Sequence, residues 1–407
     1  MGAAGDGIAR LAGETFFLPF TLPGETVFAR PLARRAGGWA ARAERILDPS
    51  GERAAPLCRH FGGCGGCALQ HWDDEAYAAW KRGLLVGALQ RAGYQHPAVA
   101  GLRRSPPRSR RRMDLAMRRI GAAVQVGLHE RHGQAVVDVL ECHVLHPALF
   151  ALVAPLRLLL GGLGLLRREG SAMVNLLDTG PDLLLRSDVP PDVTDRTKLA
   201  AFARRHGLAR IAWAPGPGRA AEPICVLRPC IVSLSGQVVG MPPGAFLQAT
   251  AEGEAAITAA VLGAVPARSR VVELHAGCGT ITHALAEVAR VAAYEGDAEA
   301  CAALRRSIGA RPITVTQRDL AHRPLTAREF SGSDAVVLDP PHAGAAAQMP
   351  ALAASDVPVV VYVSCNPATL ARDARMLREA GYQLISAVPI DQFLWSARLE
   401  SVAVFAK

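Results

Sequence analysis

A cysteine, Cys365, ends a run of β-branched residues, VVVYVSC, and is followed by Asn366-Pro367 and the helix-forming stretch PATLARDARMLREAG. Buried cysteines usually serve as small hydrophobes. A cysteine at a strand tip is accessible, and the N-terminus of the next helix is expected to lower its pKa and supply thiolate, the nucleophilic form. Glu400, in DQFLWSARLESVAVF, stands just before the last apolar strand. Alone it reads as a surface acid. Near a nucleophilic thiol it becomes the candidate general base.

A second group could hold a nucleoside-like ligand. ELHAGCGT follows a strand and opens a helix, and Gly277 and Gly279 let the backbone turn tightly there. Glu295 ends the next strand, where a carboxylate can accept hydrogen bonds from a ribose diol. Asp319 ends the following strand and is placed to hold an adenine. The turn lacks the third glycine of a dinucleotide fingerprint, which favours S-adenosylmethionine over NAD. Asp339, in VVLDPPHAG, is stiffened by Pro340 and Pro341 and suits a planar base. The plainer alternative for each acid is a solvated strand end or a turn carboxylate.

The third group is Cys58-x5-Cys64-x2-Cys67 in LCRHFGGCGGC. Three thiols this close among glycines suggest a metal centre, either structural zinc or a four-iron cluster. A fourth ligand must come from elsewhere, and Cys142 in VVDVLECHVLHP is the best placed. The Cys-x3-Cys-x2-Cys spacing of radical enzymes is absent. With nine cysteines, an odd number, in a chain that reads as cytosolic, a disulfide framework is not expected.

The elements that must position these groups fall into three parts. ETFFLPF, ETVFARPL and GWAARAERIL predict short strands, a small N-terminal barrel over residues 1–55. Residues 56–245 read as a central α+β domain with an antiparallel sheet, including a helix from Asp73 or Asp74 to near Gly93. From about residue 246 to 407, strands and helices alternate, which predicts a parallel, doubly wound α/β sheet. Ligands bind such sheets beyond the carboxyl ends of their strands, where the candidate residues cluster.

Of the 407 residues, half are hydrophobic and 20% charged, an ordinary globular balance. The apolar stretch ALFALVAPLRLLLGGLGLL is broken by Pro155 and Arg157, so no membrane span or membrane partner is expected. The N-terminus does not read as a signal peptide, and a cytoplasmic location is the default. The net charge of +9 invites a polyanionic partner, and SPPRSRRRMDLAMRR concentrates it. Nearly all of the basic residues are arginine, with lysine only at 81, 198 and 407, so part of the excess reads as compositional bias. The oligomeric state is not readable, and a monomer is assumed.

Together these motifs resemble the bacterial RNA uracil-5-methyltransferases, specifically the 23S ribosomal RNA branch that carries an iron–sulfur cluster, and the resemblance spans nearly the whole chain. VYVSCNPATLARD is close to the most specific motif of that family, with Cys365 as its cysteine, and Glu400 stands where the family has its base. VELHAGCGT, Glu295 and Asp319 match its S-adenosylmethionine positions. AFLQAT matches its Phe-x-Gln stretch, which makes Gln248 a cofactor-site residue. Cys58, Cys64, Cys67 and Cys142 match the ligands of a [4Fe-4S] cluster, and LPGETV looks like part of a TRAM domain, an OB-like RNA-binding barrel.

The resemblance implies a Rossmann-like methyltransferase domain that methylates uridine C5, with 23S rRNA as the expected partner. In that chemistry Cys365 adds to C6, Gln248 and Asp339 position cofactor or base, and Glu400 removes the C5 proton. The same reaction on tRNA, or RNA binding without catalysis, are the alternatives. There are departures. His342 stands where the family usually has arginine, Thr250 stands for a common asparagine, and Leu394-Trp395-Ser396 and Arg398 replace a Pro-His-Thr stretch and a histidine.

Overall fold

The strand that ends at Cys365 lies inside an eight-stranded sheet of the computed structural model, which describes every residue except His132. Seven of its strands come from the C-terminal part: β1 (Arg270–Leu274), β2 (Arg290–Glu295), β3 (Ile313–Gln317), β4 (Ala335–Leu338), β5 (Val359–Ser364), β6 (Gln383–Asp391) and β7 (Glu400–Ala406). Their order is β3-β2-β1-β4-β5-β7-β6, and a short strand, Arg103–Arg104, extends the edge beyond β6. The chain reverses its winding between β1 and β4, which creates a crevice at the carboxyl ends of these strands.

β4 and β5 are continuous apolar runs because both faces are covered. Val336, Leu338, Val360 and Tyr362 point into one core, while Val337, Val361 and Val363 point into the other. The helix after β5, Pro367–Glu379, begins as its sequence dictates. Asn366 is the N-cap, accepting a hydrogen bond from the Ala368 amide, and Pro367 occupies the first turn.

The sheet is not wholly parallel. β7 runs antiparallel to both β5 and β6. The link between β6 and β7 is too short to hold a crossover helix, so the chain must return as a hairpin. This reversal matters for the site, because it brings the first residue of β7, Glu400, to the edge where β5 ends.

The helix Asp74–Arg91 was expected within the central domain, but it packs on the C-terminal sheet. Leu85 and Leu89 share a core with Leu370, Leu377 and Phe405. Arg103 and Arg104 pair with Ile390 and Asp391 in β6. An amphipathic helix declares its buried face, not which sheet will cover it. Its anchor is buried and polar: Lys81 Nζ donates to Asp391 Oδ1 at 2.9 Å, and Tyr77 Oη donates to Asp391 Oδ2 at 2.6 Å. Both charged side chains are fully buried. Lys81→Met is therefore expected to destabilise the fold by ~3–5 kcal/mol, because it strands the Asp391 carboxylate in the core. Adding Asp391→Leu should recover much of that loss. Urea denaturation of the two variants checks both statements.

The middle of the chain builds a seven-stranded sheet from residues 112–226, mostly antiparallel, with its own core. Residues 7–48 form a four-stranded sheet in which the second strand pairs in parallel with the fourth. Its two long strands are bent by register shifts, including one at Pro31/Ala33. No helix among the described residues is long and apolar enough to cross a membrane.

Candidate active site

The site is built at the carboxyl edge of β1, β2, β4 and β5. After β1 the backbone turns through Gly277, with φ +56°, and a Cβ there would meet nothing within 4 Å. The turn is open above that residue, where a ligand can approach. Gly279 has another reason to lack a side chain, since a Cβ would lie 2.5 Å from Leu304 Cδ1. Glu295, at the end of β2, holds the turn by accepting hydrogen bonds from the Gly277 and Asp297 amides, each at 2.8 Å. Asp319 lies beside this strand end, its Cα 3.8 Å from where a Gly296 Cβ would stand. It is exposed, and its carboxylate accepts from its own loop, at the amides of Ala321 and His322.

Asp339 follows β4 directly, and burial raises its pKa to about 7. Glu273, inside β1, is buried beside it. Burial, with the charges of Asp339 and Glu295, raises its pKa to about 8. Glu400 is also buried, and burial followed by the charge of Asp339 holds its pKa well above the usual carboxylate range. A row of carboxyls therefore runs along the crevice, with little positive charge to balance it.

Sheet register brings the two candidate catalytic residues together. Ser364 pairs with Ser401 across β5 and β7, so Cys365 and Glu400 leave their strands side by side. The Cys365 thiol is partly buried, and its pKa is raised to about 11 by burial, then by the charges of Glu400 and Asp339. The expectation of a lowered pKa is thus overturned for the free protein. Desolvation and two neighbouring carboxyls outweigh the helix that follows.

Gln392, between β6 and β7, holds the candidate base, Glu400, in place. Its Oε1 accepts from the Ala249 amide at 2.9 Å, and an N–H can only donate, so the side-chain amide is fixed in one orientation. Its Nε2 then donates to Gln248 Oε1 at 2.8 Å and to Glu400 Oε2 at 2.9 Å. Glu400 Oε1 is buried and has no hydrogen-bond partner among the described residues. A proton arriving at Glu400 is thereby directed to Oε1.

The cysteines of the N-terminal half gather at a separate place. Cys58, Cys64, Cys67 and Cys142 are free thiols, and in all six pairings the charge of one acts on another. No three His, Cys, Asp or Glu side chains among the described residues converge as a single metal ion would require. The segment after Cys67 also reaches the active site, because the amides of Ala68 and Leu69 both donate to the Trp395 carbonyl, in the loop that leads to Glu400.

Known proteins share this chain's sequence and fold. A protein named only as an RNA methyltransferase, from Brucella suis biovar 1, is 40% identical over all of this chain and 96% of its own length. The 23S rRNA (uracil(1939)-C(5))-methyltransferase of Halomonas elongata is 35% identical, over 98% of this chain and 86% of that relative. The chain belongs to the RNA uracil-C5 methyltransferases. The model of the tRNA (uracil-5-)-methyltransferase family matches residues 323–407, the stretch that carries Asp339, Cys365 and Glu400. Among solved structures, the tRNA (uracil-54, C5)-methyltransferase of Pyrococcus abyssi, in complex with S-adenosyl-L-homocysteine, superposes with a TM-score of 0.76. It covers 99% of this chain and 98% of that one at 20% identity, and so shows a shared fold.

Within this uracil-C5 methyltransferase, Gln392 and Glu273 were not found by sequence reasoning. Glu273 is masked by the apolar residues around it in β1. Gln392 had one legible signal, a polar side chain directly after an apolar strand in the segment leading to Glu400.

Proposed function

We propose that this methyltransferase uses S-adenosylmethionine to convert a uridine of 23S rRNA to 5-methyluridine, through a covalent bond between Cys365 and C6. The observation that carries the reading is the strand-tip pairing of a thiol with a buried carboxyl whose Oε1 is free. S-adenosylmethionine, when bound, supplies the methyl group. The open turn at Gly277 and the carboxyl row suit it, since its sulfonium is a cation. Glu295 would take the ribose, Asp319 the adenine, and Gln248 and Asp339 would position the reacting end.

Addition of the Cys365 thiolate to C6 pushes the C5=C6 electron pair towards O4 and makes C5 nucleophilic. Once C5 carries the methyl group, Glu400 removes the C5 proton at Oε1. The electrons of that C–H bond restore C5=C6, and the thiolate leaves. The uridine must be turned out of its stack to reach this edge. Residues 1–55, with exposed arginines on both long strands, are assigned to RNA binding.

Cys58, Cys64, Cys67 and Cys142 form an all-thiol set, each close enough for its charge to act on the others, which is the donor set that a [4Fe-4S] cluster takes. Such a cluster would stabilise the cysteine segment and, through Ala68 and Leu69, the loop before Glu400. Methyl transfer from a sulfonium moves no net electrons, so its role here would be structural or in shaping the RNA.

One pH dependence follows. Asp339, with its pKa raised to about 7, is a carboxylate above that pH and neutral below it. Binding a sulfonium favours the carboxylate, so affinity for S-adenosylmethionine is expected to weaken as pH falls through 7, by up to about tenfold per unit. S-adenosylhomocysteine lacks the charge, and its affinity should change much less. Calorimetric titration of both ligands from pH 8 to 6 checks this.

The substrate is tested by supplying methyl-labelled S-adenosylmethionine with 23S rRNA or tRNA, each lacking 5-methyluridine. Label in 5-methyluridine of the rRNA is the expected result. Label only in tRNA would overturn the substrate, and label in neither would leave an RNA-binding protein.

A further inference from the structure

We propose that His342 donates its Nδ1–H to Cys365 and stabilises the thiolate both as it forms and as it leaves; this rests on Cys365 being the nucleophile. His342 follows the Asp339-Pro-Pro turn, and its Nδ1 lies 3.7 Å from Cys365 Sγ. Whether that nitrogen donates or accepts depends on which ring nitrogen carries the hydrogen, and the residue after Cys365, Asn366, decides it.

Asn366 caps the helix Pro367–Glu379, with its Oδ1 accepting from the Ala368 amide at 3.0 Å. A backbone N–H cannot accept, so the atom facing it is the oxygen, and the NH2 must face the other way. That NH2 donates to the His342 carbonyl at 3.0 Å and lies 3.4 Å from His342 Nε2. An amide NH2 offers no lone pair, so Nε2 must present its own. The neutral imidazole therefore carries its hydrogen on Nδ1, towards sulfur. The residue that caps the helix also sets the histidine tautomer.

The need for such a donor is visible in the surroundings. Glu400 and Asp339 both oppose a negative sulfur, and the charge of Arg398 favours it. A neutral N–H adds support without closing the site with a second permanent cation. No proton passes to His342 in this step. The thiol proton goes to solvent, and Nδ1–H stays in place while charge moves from sulfur to uracil O4. On elimination the charge returns to the same hydrogen bond.

The test is the pH dependence of Cys365 alkylation by iodoacetamide, followed on the peptide that carries it, in the full-length protein. His342→Phe should move the midpoint upward and slow alkylation near pH 8 about tenfold, the scale of one hydrogen bond to a charged group. His342→Arg should move the midpoint downward. Asn366→Asp keeps the cap but loses the NH2, and should shift the midpoint in the same direction as His342→Phe. Folded His342→Phe and Asn366→Asp proteins with wild-type midpoints would overturn the proposal. The nucleophile reading is tested separately by Cys365→Ser: if that variant still made 5-methyluridine, the nucleophile would be elsewhere, whatever the alkylation profile of Cys365.

Discussion

Cys365→Ser is expected to abolish 5-methyluridine formation, with a loss on the order of 10⁴–10⁶-fold, the scale seen when a covalent nucleophile is removed. The substitution exchanges one second-row atom for a smaller first-row one at the tip of β5, so the fold should survive. A serine hydroxyl is far less acidic than the thiol, so far less of it is ionised and able to attack C6. Binding of S-adenosylmethionine should be close to unchanged, since its proposed contacts come from the ends of β1 to β4 and from Gln248, and none from Cys365. Calorimetry and a methyl-incorporation assay on the same preparation separate these effects. Loss of binding together with activity would mean that the variant had damaged the edge instead of removing a reactant.

Glu400→Gln carries the second large effect. Glutamine keeps the shape of the side chain, and its carbonyl can take the hydrogen bond that Gln392 Nε2 now gives to Glu400 Oε2. Its NH2 then stands where the unpartnered Oε1 was, and an amide nitrogen cannot accept the C5 proton. Turnover should fall by ~10²–10⁴-fold, the usual worth of a general base. Unlike the cysteine variant, this one should stall after methyl transfer, with RNA still bonded to Cys365. A slow-migrating protein–RNA species on a denaturing gel is the expected sign. Normal turnover with no such species would assign the base elsewhere.

Much of this arrangement was legible in the sequence. The run from Val359 to Cys365, the glycines at 277 and 279, and the acid at each strand end follow from strand alternation and from where such sheets bind ligands. What was not legible depends on which strands become neighbours. Nothing in the local pattern says that Glu400 will stand beside Cys365; that follows from β7 returning antiparallel and pairing Ser401 with Ser364. Gln392 is informative only once Ala249, Gln248 and Glu400 surround it. The thiol pKa was misjudged for the same reason. The helix after β5 could be read from sequence, while the carboxyls that oppose it come from β4 and β7. Likewise, the helix Asp74–Arg91 shows its length and its cap, yet its docking depends on a buried lysine reaching Asp391, far along the chain.

The most direct test of the central claim uses RNA in which the target uridine is replaced by 5-fluorouridine, incubated with the protein and S-adenosylmethionine. The fluorine cannot be removed as a proton, so the reaction should stop after addition and methyl transfer. Protease digestion and mass spectrometry would then locate the bond. A methylated, fluorinated nucleotide joined to the peptide containing Cys365 is the expected result. An adduct on any other cysteine, or no adduct from RNA that is methylated normally when it carries uridine, would contradict it.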